Sequence, residues 1–215
     1  MSDPDVIVVG GGNAAMCAAL AAREKGASVL VLERANEDER GGNTRFTAGA
    51  MRVVYDGLDD LLQIMPDLGE EERANTDFGS YPADQFFDDM ARVTEYRANP
   101  DLVEVLVRQS HPTLVWMREQ GIRFMPMYAR QAFKIDGRFR FWGGLTVEAW
   151  GGGPGLCESE YGVVEKAGAE IRYNARVVSL VQDGPRVCGV VVRSGGQEET
   201  LAAKAVVLAC GGFEA

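Results

Sequence analysis

A short stretch near the N-terminus decides the fold: residues 5–15 read Asp-Val-Ile-Val-Val-Gly-Gly-Gly-Asn-Ala-Ala. The apolar run at its start is typical of a strand that is buried on both faces of a parallel sheet. Glycines end this strand, and the alanine-rich residues after Asn13 predict a helix that stops at Gly26. A second apolar run follows at 28–33. Together these segments predict a right-handed βαβ unit.

The glycines of this unit form the pattern Gly10-x-Gly12-x-x-Ala15, and an acid, Glu33, ends the second strand. Between a strand and a helix, this pattern is the fingerprint of a dinucleotide site. Gly10 permits the tight turn, Gly12 lets backbone amides approach a pyrophosphate, and Ala15 keeps helix and strand close. The helix N-terminus offers unpaired N–H groups and partial positive charge to the anion. Glu33 would accept the ribose hydroxyls; a glycine turn without a ligand is the alternative.

A second glycine-rich segment follows the acid, with Arg-Gly-Gly-Asn-Thr at 40–44 and Thr-Ala-Gly-Ala at 47–50. A simple NAD domain has no need of such a segment at this place. A flavin extends well beyond its pyrophosphate, and small residues would let backbone amides approach its ribityl chain and ring. The pattern therefore favours a flavin, with an ordinary loop as the alternative.

The remaining patterns complete an α/β fold with a parallel sheet, a helical insertion and a small antiparallel hairpin or meander. An acidic, exposed connection is expected at 66–82, and Pro112 is expected to break a helix or begin a new one. Helices are predicted at 59–65, 83–97, 101–120 and 156–167, strands or a hairpin at 122–142, a glycine turn at 151–155, strands at 170–173 and 176–181, an antiparallel pair at 186–193 and 198–201, and a buried strand at 205–209.

Composition excludes several classes of protein. The chain of 215 residues carries a formal net charge of −10, whereas nucleic-acid binding needs a basic surface. No run approaches the roughly 18 apolar residues of a membrane span, and the N-terminus does not resemble a signal peptide. The four cysteines lack C-x-x-C spacing, which favours buried free thiols in a reducing compartment, the cytoplasm. A single histidine, His111, argues against a histidine-rich metal site, and we expect no metal.

The glycine-rich segments, together with the strands at 175–180 and 205–209, resemble the fumarate reductase/succinate dehydrogenase type of flavoproteins. This family of FAD-dependent oxidoreductases also includes 3-ketosteroid dehydrogenases, and within it the resemblance is strongest to the tricarballylate dehydrogenases. The resemblance runs along the whole chain. It also rests on Trp-Met-Arg at 116–118, Phe-Trp-Gly-Gly at 141–144, Gly-Gly-Gly at 151–153, and Ala-Cys-Gly-Gly-Phe at 209–213, where the family has Ala-Thr-Gly-Gly-Phe.

The resemblance implies a set of FAD contacts. Covalent members carry a histidine near the positions of Asn43 and Thr44, and this chain has none there, so the resemblance implies non-covalent FAD. The implied contacts are Gly10, Gly12, Asn13, Ala14 and Ala15 at the pyrophosphate, Glu33 with Arg34 at the adenosine ribose, Gly42, Asn43 and Thr44 at the phosphate and ribityl chain, Thr47, Ala48 and Gly49 at the isoalloxazine, the Val177 backbone at adenine, and Gly211 and Gly212 passing close to the cofactor.

The resemblance also implies an activity and a domain plan. Residues 1–215 would form the first part of an FAD-binding domain, with a helical insertion at about 59–121. The capping domain and the C-terminal FAD segment, which supply the family's catalytic residues, would be absent, so the catalytic residues are unknown. The implied reaction dehydrogenates a polycarboxylate, with tricarballylate to cis-aconitate as the leading case and an unknown electron acceptor. The alternatives are fumarate reductase or 3-ketosteroid dehydrogenase activity, or a truncated FAD-binding module without catalysis. We expect the chain to self-associate through uncovered apolar surface.

A polycarboxylate would need arginine side chains to bind it. Four arginines lie among aromatic residues before the glycine turn: Arg123, Arg130, Arg138 and Arg140. They are candidates for one wall of a substrate pocket, although surface positions on strands are the simpler interpretation. Tyr128 is a candidate proton donor. His111 is more simply explained as a structural residue.

Overall fold

The computed structural model describes residues 3–212, apart from the side chains of Arg130 and Gln131; Phe213 of the Gly-Gly-Phe motif lies outside that range. The strands are β1 (Val6–Val9), β2 (Val29–Leu32), β3 (Ala50–Arg52), β4 (Thr76–Asp77), β5 (Phe124–Pro126), β6 (Ala132–Ile135), β7 (Arg138–Phe141), β8 (Thr146–Ala149), β9 (Glu170–Arg172), β10 (Arg176–Asp183), β11 (Arg186–Ser194), β12 (Gln197–Ala202) and β13 (Ala205–Leu208). The helices are α1 (Asn13–Glu24), α2 (Leu58–Ile64), α3 (Glu70–Asn75), α4 (Ala83–Val93), α5 (Pro100–Glu119), α6 (Tyr128–Gln131) and α7 (Gly152–Lys166), with 3₁₀ turns at Glu37–Glu39 and Gly42–Phe46.

The chain divides into two compact units. The first runs to Thr47 and resumes at Gly151. Its four-stranded sheet has the order β13-β1-β2-β9, and every neighbouring pair is parallel. This arrangement confirms the predicted parallel sheet and its βαβ start. Helix α1 buries a face of small and apolar residues that includes Ala15, Met16 and Ala19.

The predicted antiparallel meander is also present, as strands β10, β11 and β12. It contributes Val190 and Val192 to a core cluster that includes Ile7 and Leu32 of the parallel sheet. Both faces of the sheet therefore carry buried apolar side chains, which explains why β1 and β2 are apolar at successive positions rather than alternating.

The second unit is Ala48–Trp150. It contains the helices α2–α6 and two small sheets, with the strand orders β3-β8-β5 and β4-β7-β6. Tyr55 is buried at its centre, where its hydroxyl donates to the Phe78 carbonyl at 2.6 Å and accepts from the Leu145 amide at 2.7 Å. In the described part of the chain, no helix combines the length and apolar character needed to cross a membrane.

Three sequence-based expectations are wrong. Pro112 lies inside the continuous helix α5, because the buried face formed by Val107, Leu114 and Met117 outweighs one missing backbone hydrogen bond. The segment 66–82 is not simply exposed, since Leu68, Phe78 and Tyr81 are buried and the segment also forms α3 and β4. Helix α7 begins inside the expected 151–155 turn. The helix starts early because Gly153 packs closely against the backbone of residues 44–47.

Candidate functional site

The turn between β1 and α1 is closely surrounded by backbone and side chains. Gly10 has a φ of +112°, and a Cβ there would overlap the carbonyl of Ala209, with its carbon 2.9 Å away. A Cβ on Gly11 would overlap both the Glu33 carboxylate and the Tyr161 hydroxyl. Glycines are therefore required here by geometry, and the end of β13 is brought directly against the turn.

Helix α1 presents unpaired amides at its N-terminus. Gly12 is the N-cap and offers no side chain, and within residues 3–212 the amides of Gly11, Gly12 and Ala14 have no hydrogen-bond partner. The amide of Asn13 donates to Thr44 Oγ1 at 3.1 Å. This bond joins the two glycine-rich segments that the sequence singled out. Unpaired N–H groups and the helix dipole together form a site for an anion.

Glu33 is buried beside this turn, directly after β2. Its Oε1 accepts a hydrogen bond from the Ala35 amide at 2.8 Å, which fixes the direction of the carboxylate. Oε2 lies next to Gly11. The structure thus places the predicted ribose acid within the same cluster as the predicted pyrophosphate turn.

Tyr161 of α7 supports the turn from behind, and the sequence analysis did not identify it. Its hydroxyl donates to the Gly11 carbonyl at 2.9 Å, and burial raises the pKa of this phenol, so it remains a donor. The Arg40 guanidinium lies 4.3 Å from the centre of the Tyr161 ring, and Arg40 also donates to the Tyr173 hydroxyl at 2.8 Å. A cation–π contact and a hydrogen bond therefore hold the tyrosine pair together.

Replacing Tyr161 with phenylalanine tests this support. The variant leaves the Gly11 carbonyl without its donor, which should cost about 1–2 kcal/mol of unfolding free energy and weaken binding of a ligand at the turn. Urea denaturation and ligand titration would measure the two effects. Tyr173→Phe is the matched control, since it removes a hydroxyl that contacts Arg40 and not the turn. Equal effects of the two variants on ligand affinity would contradict the assignment.

The segment Gly42–Phe46 packs tightly against the start of α7. A Cβ on Gly153 would overlap the carbonyl oxygens of Thr44 and Thr47, and a Cβ on Gly41 would come within 2.6 Å of Cys157 Sγ. The amide of Gly153 donates to the Thr47 carbonyl at 3.1 Å. This close packing is why α7 begins within its glycines, and it fixes the loop that the resemblance places at the phosphate and ribityl chain.

A buried acid, Glu160, lies on the α7 face toward α1, and it was also missed. It is 1% exposed, its Oε1 lies 4.0 Å from Cys17 Sγ, and its Oε2 has no partner among the described residues. Burial raises the pKa of Glu160 to about 8 and, with the nearby Glu160, raises the pKa of Cys17 to about 12. In the sequence, the sign of this buried acid is that Glu160 stands at a position of α7 where the helical spacing of apolar residues predicts an apolar side chain.

The other implied contacts are distributed as follows. In the first unit, Arg34, Gly42, Asn43 and Thr47 are exposed. Val177 on β10 pairs with Val192 of β11 next to a register shift, and the exposed Gly211 and Gly212 follow the β13 segment that lies against Gly10. Ala48 and Gly49 belong to the second unit. The cysteines are free thiols, but only Cys157 is buried as expected: Cys17 and Cys188 are half-buried, and Cys210, which follows the end of β13, is exposed.

The candidate arginines of the second unit have local partners. Arg123 pairs with Asp67 and lies 4.3 Å above the Trp150 ring, whereas Arg140 lies 3.6 Å from Asp77. The side chain of Arg130 lies outside the described residues. These contacts favour the surface interpretation over a common substrate wall.

The two remaining candidates of the second unit are also engaged. His111 Nε2 donates to the Asp60 carbonyl at 3.0 Å, which links α5 to α2 and supports its structural interpretation. The Tyr128 hydroxyl lies 3.1 Å from Thr76 Oγ1, and burial raises the pKa of this phenol to about 12.

Comparison with known proteins places this geometry in context. A family model described as "FAD binding domain" matches residues 5–215. The chain is 28% identical over 212 residues to the probable fumarate reductase Ifc3 of Shewanella frigidimarina, covering 97% of this chain and 32% of that protein. It is 28% identical over 228 residues to a urocanate reductase of Eggerthella lenta, covering 99% of this chain and 32% of that protein.

A solved structure shares the fold. The open conformation of a flavocytochrome c3 fumarate reductase matches with a TM-score of 0.71 and 26% identity, covering 98% of this chain and 34% of that one. The chain spans about one third of the length of the curated relatives it matches. The matched part is the part that contains the glycine turn, the free amides and Glu33.

Proposed function

Because the chain belongs to the FAD binding domain family, we propose that it is the dinucleotide-binding part of an FAD-dependent oxidoreductase that dehydrogenates a C–C bond of a polycarboxylate. The observation that carries the cofactor part of this proposal is the cradle formed by Gly10–Gly12 and the unpaired amides at the α1 N-terminus. The cradle fits a diphosphate because its glycines leave no side chain over the α1 N-terminus and because the amides of Gly11, Gly12 and Ala14 are unpaired donors.

In the proposed complex the amides of Gly11, Gly12 and Ala14 bind the diphosphate, and Glu33 accepts hydrogen bonds from the adenosine ribose. The Thr44 hydroxyl already accepts the hydrogen bond of the Asn13 amide, so the contribution of Thr44 is to hold the 42–46 segment against α1. Gly42 and Asn43 are exposed on that segment and would face the ribityl chain. When bound, FAD supplies the two-electron redox chemistry. This chain's own part is to bind and orient the cofactor.

We propose tricarballylate, oxidised to cis-aconitate, as the substrate. The reaction removes two hydrogens from adjacent carbons, one as a proton and the other with the electron pair. Support comes from the resemblance to tricarballylate dehydrogenases along the chain. Two relatives are named for fumarate and urocanate, which are unsaturated carboxylates like cis-aconitate, the product of the proposed reaction. Because this chain covers about one third of those relatives, the residues that bind substrate and transfer the proton are expected on chain segments beyond it.

The experiment that tests the cofactor and the reaction is the visible absorption of the purified protein, followed by substrate titration of the full-length gene product. We expect a flavin band, release of free FAD on acid precipitation because the linkage is non-covalent, and bleaching by tricarballylate. Flavin that stays with the acid precipitate contradicts the non-covalent linkage. Bleaching by a 3-ketosteroid or by succinate in place of tricarballylate would assign a different substrate.

Glu33→Gln should weaken FAD binding by roughly tenfold, because hydrogen bonds to a carboxylate are stronger than those to a neutral amide by about 1–1.5 kcal/mol. Fluorescence titration of apoprotein with FAD measures the change. Glu170→Gln is the control, since this exposed acid lies on the neighbouring strand β9 and does not contact the cradle. If Glu33→Gln binds FAD as tightly as that control, the ribose assignment is wrong.

A further inference from the structure

Glu160 is a buried acid that has no role in the dinucleotide binding proposed above. It lies on α7, and no cation pairs with either of its oxygens among the described residues. Native proteins rarely leave a buried carboxyl oxygen without a partner, since an unpaired buried polar group costs free energy. Such a group at the back of a ligand cradle calls for a functional explanation.

The carboxyl is connected to the cradle by one side chain. Cys17 Sγ lies 4.0 Å from Glu160 Oε1 and 3.5 Å from Asn13 Oδ1. Asn13 is the first residue of α1, so two short contacts separate the acid from the proposed diphosphate site. Cys17 and Asn13 carry no charge, since burial raises the pKa of the Cys17 thiol. Neither side chain therefore screens an ionised Glu160 from a diphosphate bound at the α1 N-terminus.

The other titratable groups near Glu160 do not neutralise it. Cys157 lies one turn earlier on the same helix, and burial raises the pKa of its thiol to about 11. The positive charges of Arg45 and Arg40 act on Cys157. Glu33 acts on the neighbouring Tyr161 and adds a further negative charge to the cluster. An ionised Glu160 would therefore meet a bound diphosphate across Cys17, with Arg40, Arg45 and the α1 helix terminus offsetting only part of the repulsion.

We propose that Glu160 is a positioning residue for the cofactor diphosphate, which it accommodates by binding a proton more tightly, with net proton uptake from solvent, when the diphosphate binds at the α1 N-terminus. This inference rests on the proposed function. In the bound state the neutral carboxyl holds the Cys17–Asn13 side of the cradle without repelling the ligand. In the free state Glu160 loses that proton at a lower pH, because the α1 terminus then has no other anion.

The test is the affinity for FAD at pH 7.5 and pH 9, with folding checked at each pH by circular dichroism. If binding raises the pKa of Glu160 from about 8 by about one unit, wild-type affinity falls about fourfold between these two pH values. Calorimetry in buffers of different ionisation enthalpy should show proton uptake. Glu160→Gln should bind with little pH dependence and without uptake, while Glu158→Gln, an exposed acid on the same helix, should follow wild type.

Two further outcomes separate the inference from the proposed function. ADP carries the diphosphate without the flavin, so the same pH dependence with ADP assigns the effect to the cradle. Binding of FAD and ADP with equal pH dependence in wild type and Glu160→Gln overturns the inference and leaves the proposed function standing. Failure of wild type to bind either ligand at pH 7.5 overturns the proposed function and the inference with it.

Discussion

Replacing Gly10 with alanine is expected to remove FAD binding and to lower the free energy of unfolding by about 3 kcal/mol or more. The φ of +112° strains any residue with a Cβ, and the added atom overlaps the backbone of Ala209 rather than a movable side chain. Relief would require the end of β13 to move away from the cradle. Since domains are stable by only about 5–15 kcal/mol, urea denaturation would detect the loss readily.

Gly26→Ala is the control that separates the strain of a positive φ from the steric overlap with Ala209. Gly26 ends α1 with a φ of +79°, but a Cβ there meets no atom within 4 Å. We expect this variant to lose only about 1 kcal/mol and to retain FAD. If Gly10→Ala loses no more stability than Gly26→Ala, the close approach of Ala209 does not determine the conformation of the turn.

Raising the pH from about 4.5 to about 8 is expected to destabilise the apoprotein through Glu160. The folded state raises the pKa of this carboxyl from 4.5 to about 8, so it binds the proton more tightly than the unfolded chain does. The contribution is therefore fully favourable below the ordinary pKa, declines as pH rises through the window, and levels off above about 8. At about 1.4 kcal/mol per pH unit, the total difference is on the order of 4 kcal/mol.

Glu160→Gln isolates this effect because glutamine keeps the shape and cannot ionise. Chemical denaturation of wild type and variant between pH 5 and pH 9 would give two curves of unfolding free energy whose difference grows up to about pH 8 and then levels off. The exposed Glu158→Gln should instead run parallel to wild type. If the curves of wild type and Glu160→Gln stay parallel, folding does not raise the pKa of Glu160.

The sequence predicted the parts of the site that depend on local pattern. Apolar runs and glycines identified the βαβ unit, Gly10 and Gly12, and the acid at its second strand, because each has a fixed place within about thirty residues. Both glycine-rich segments were recognised from their residues, whereas the bond from the Asn13 amide to Thr44 that joins them is seen only in the structure. The meander was predictable for the same reason, since alternation and turns are local.

The parts that were missed depend on contacts between distant residues. Tyr161 reaches Gly11 across 150 positions of sequence, and a tyrosine within a helix carries no sign of that bond. The start of α7 is set by the carbonyls of Thr44 and Thr47, which only glycine can approach. Pro112 argued for a break by local rules, and the packing of α5 overrode it. Glu160 was visible as an acid at an apolar position, but its burial required the position of α1.

The strand order has a consequence for how the chain folds. The first strand, β1, lies between β2 and β13, so one of its two neighbours comes from about 200 residues later in the sequence. The Ala48–Trp150 unit, by contrast, is continuous in sequence and needs no residue outside it for its own sheets. Contacts between distant residues form slowly because a long loop must close first. On the ribosome, the inserted unit can become compact before β13 has been made, and the cradle acquires its Ala209 wall only after residue 209 has been synthesised.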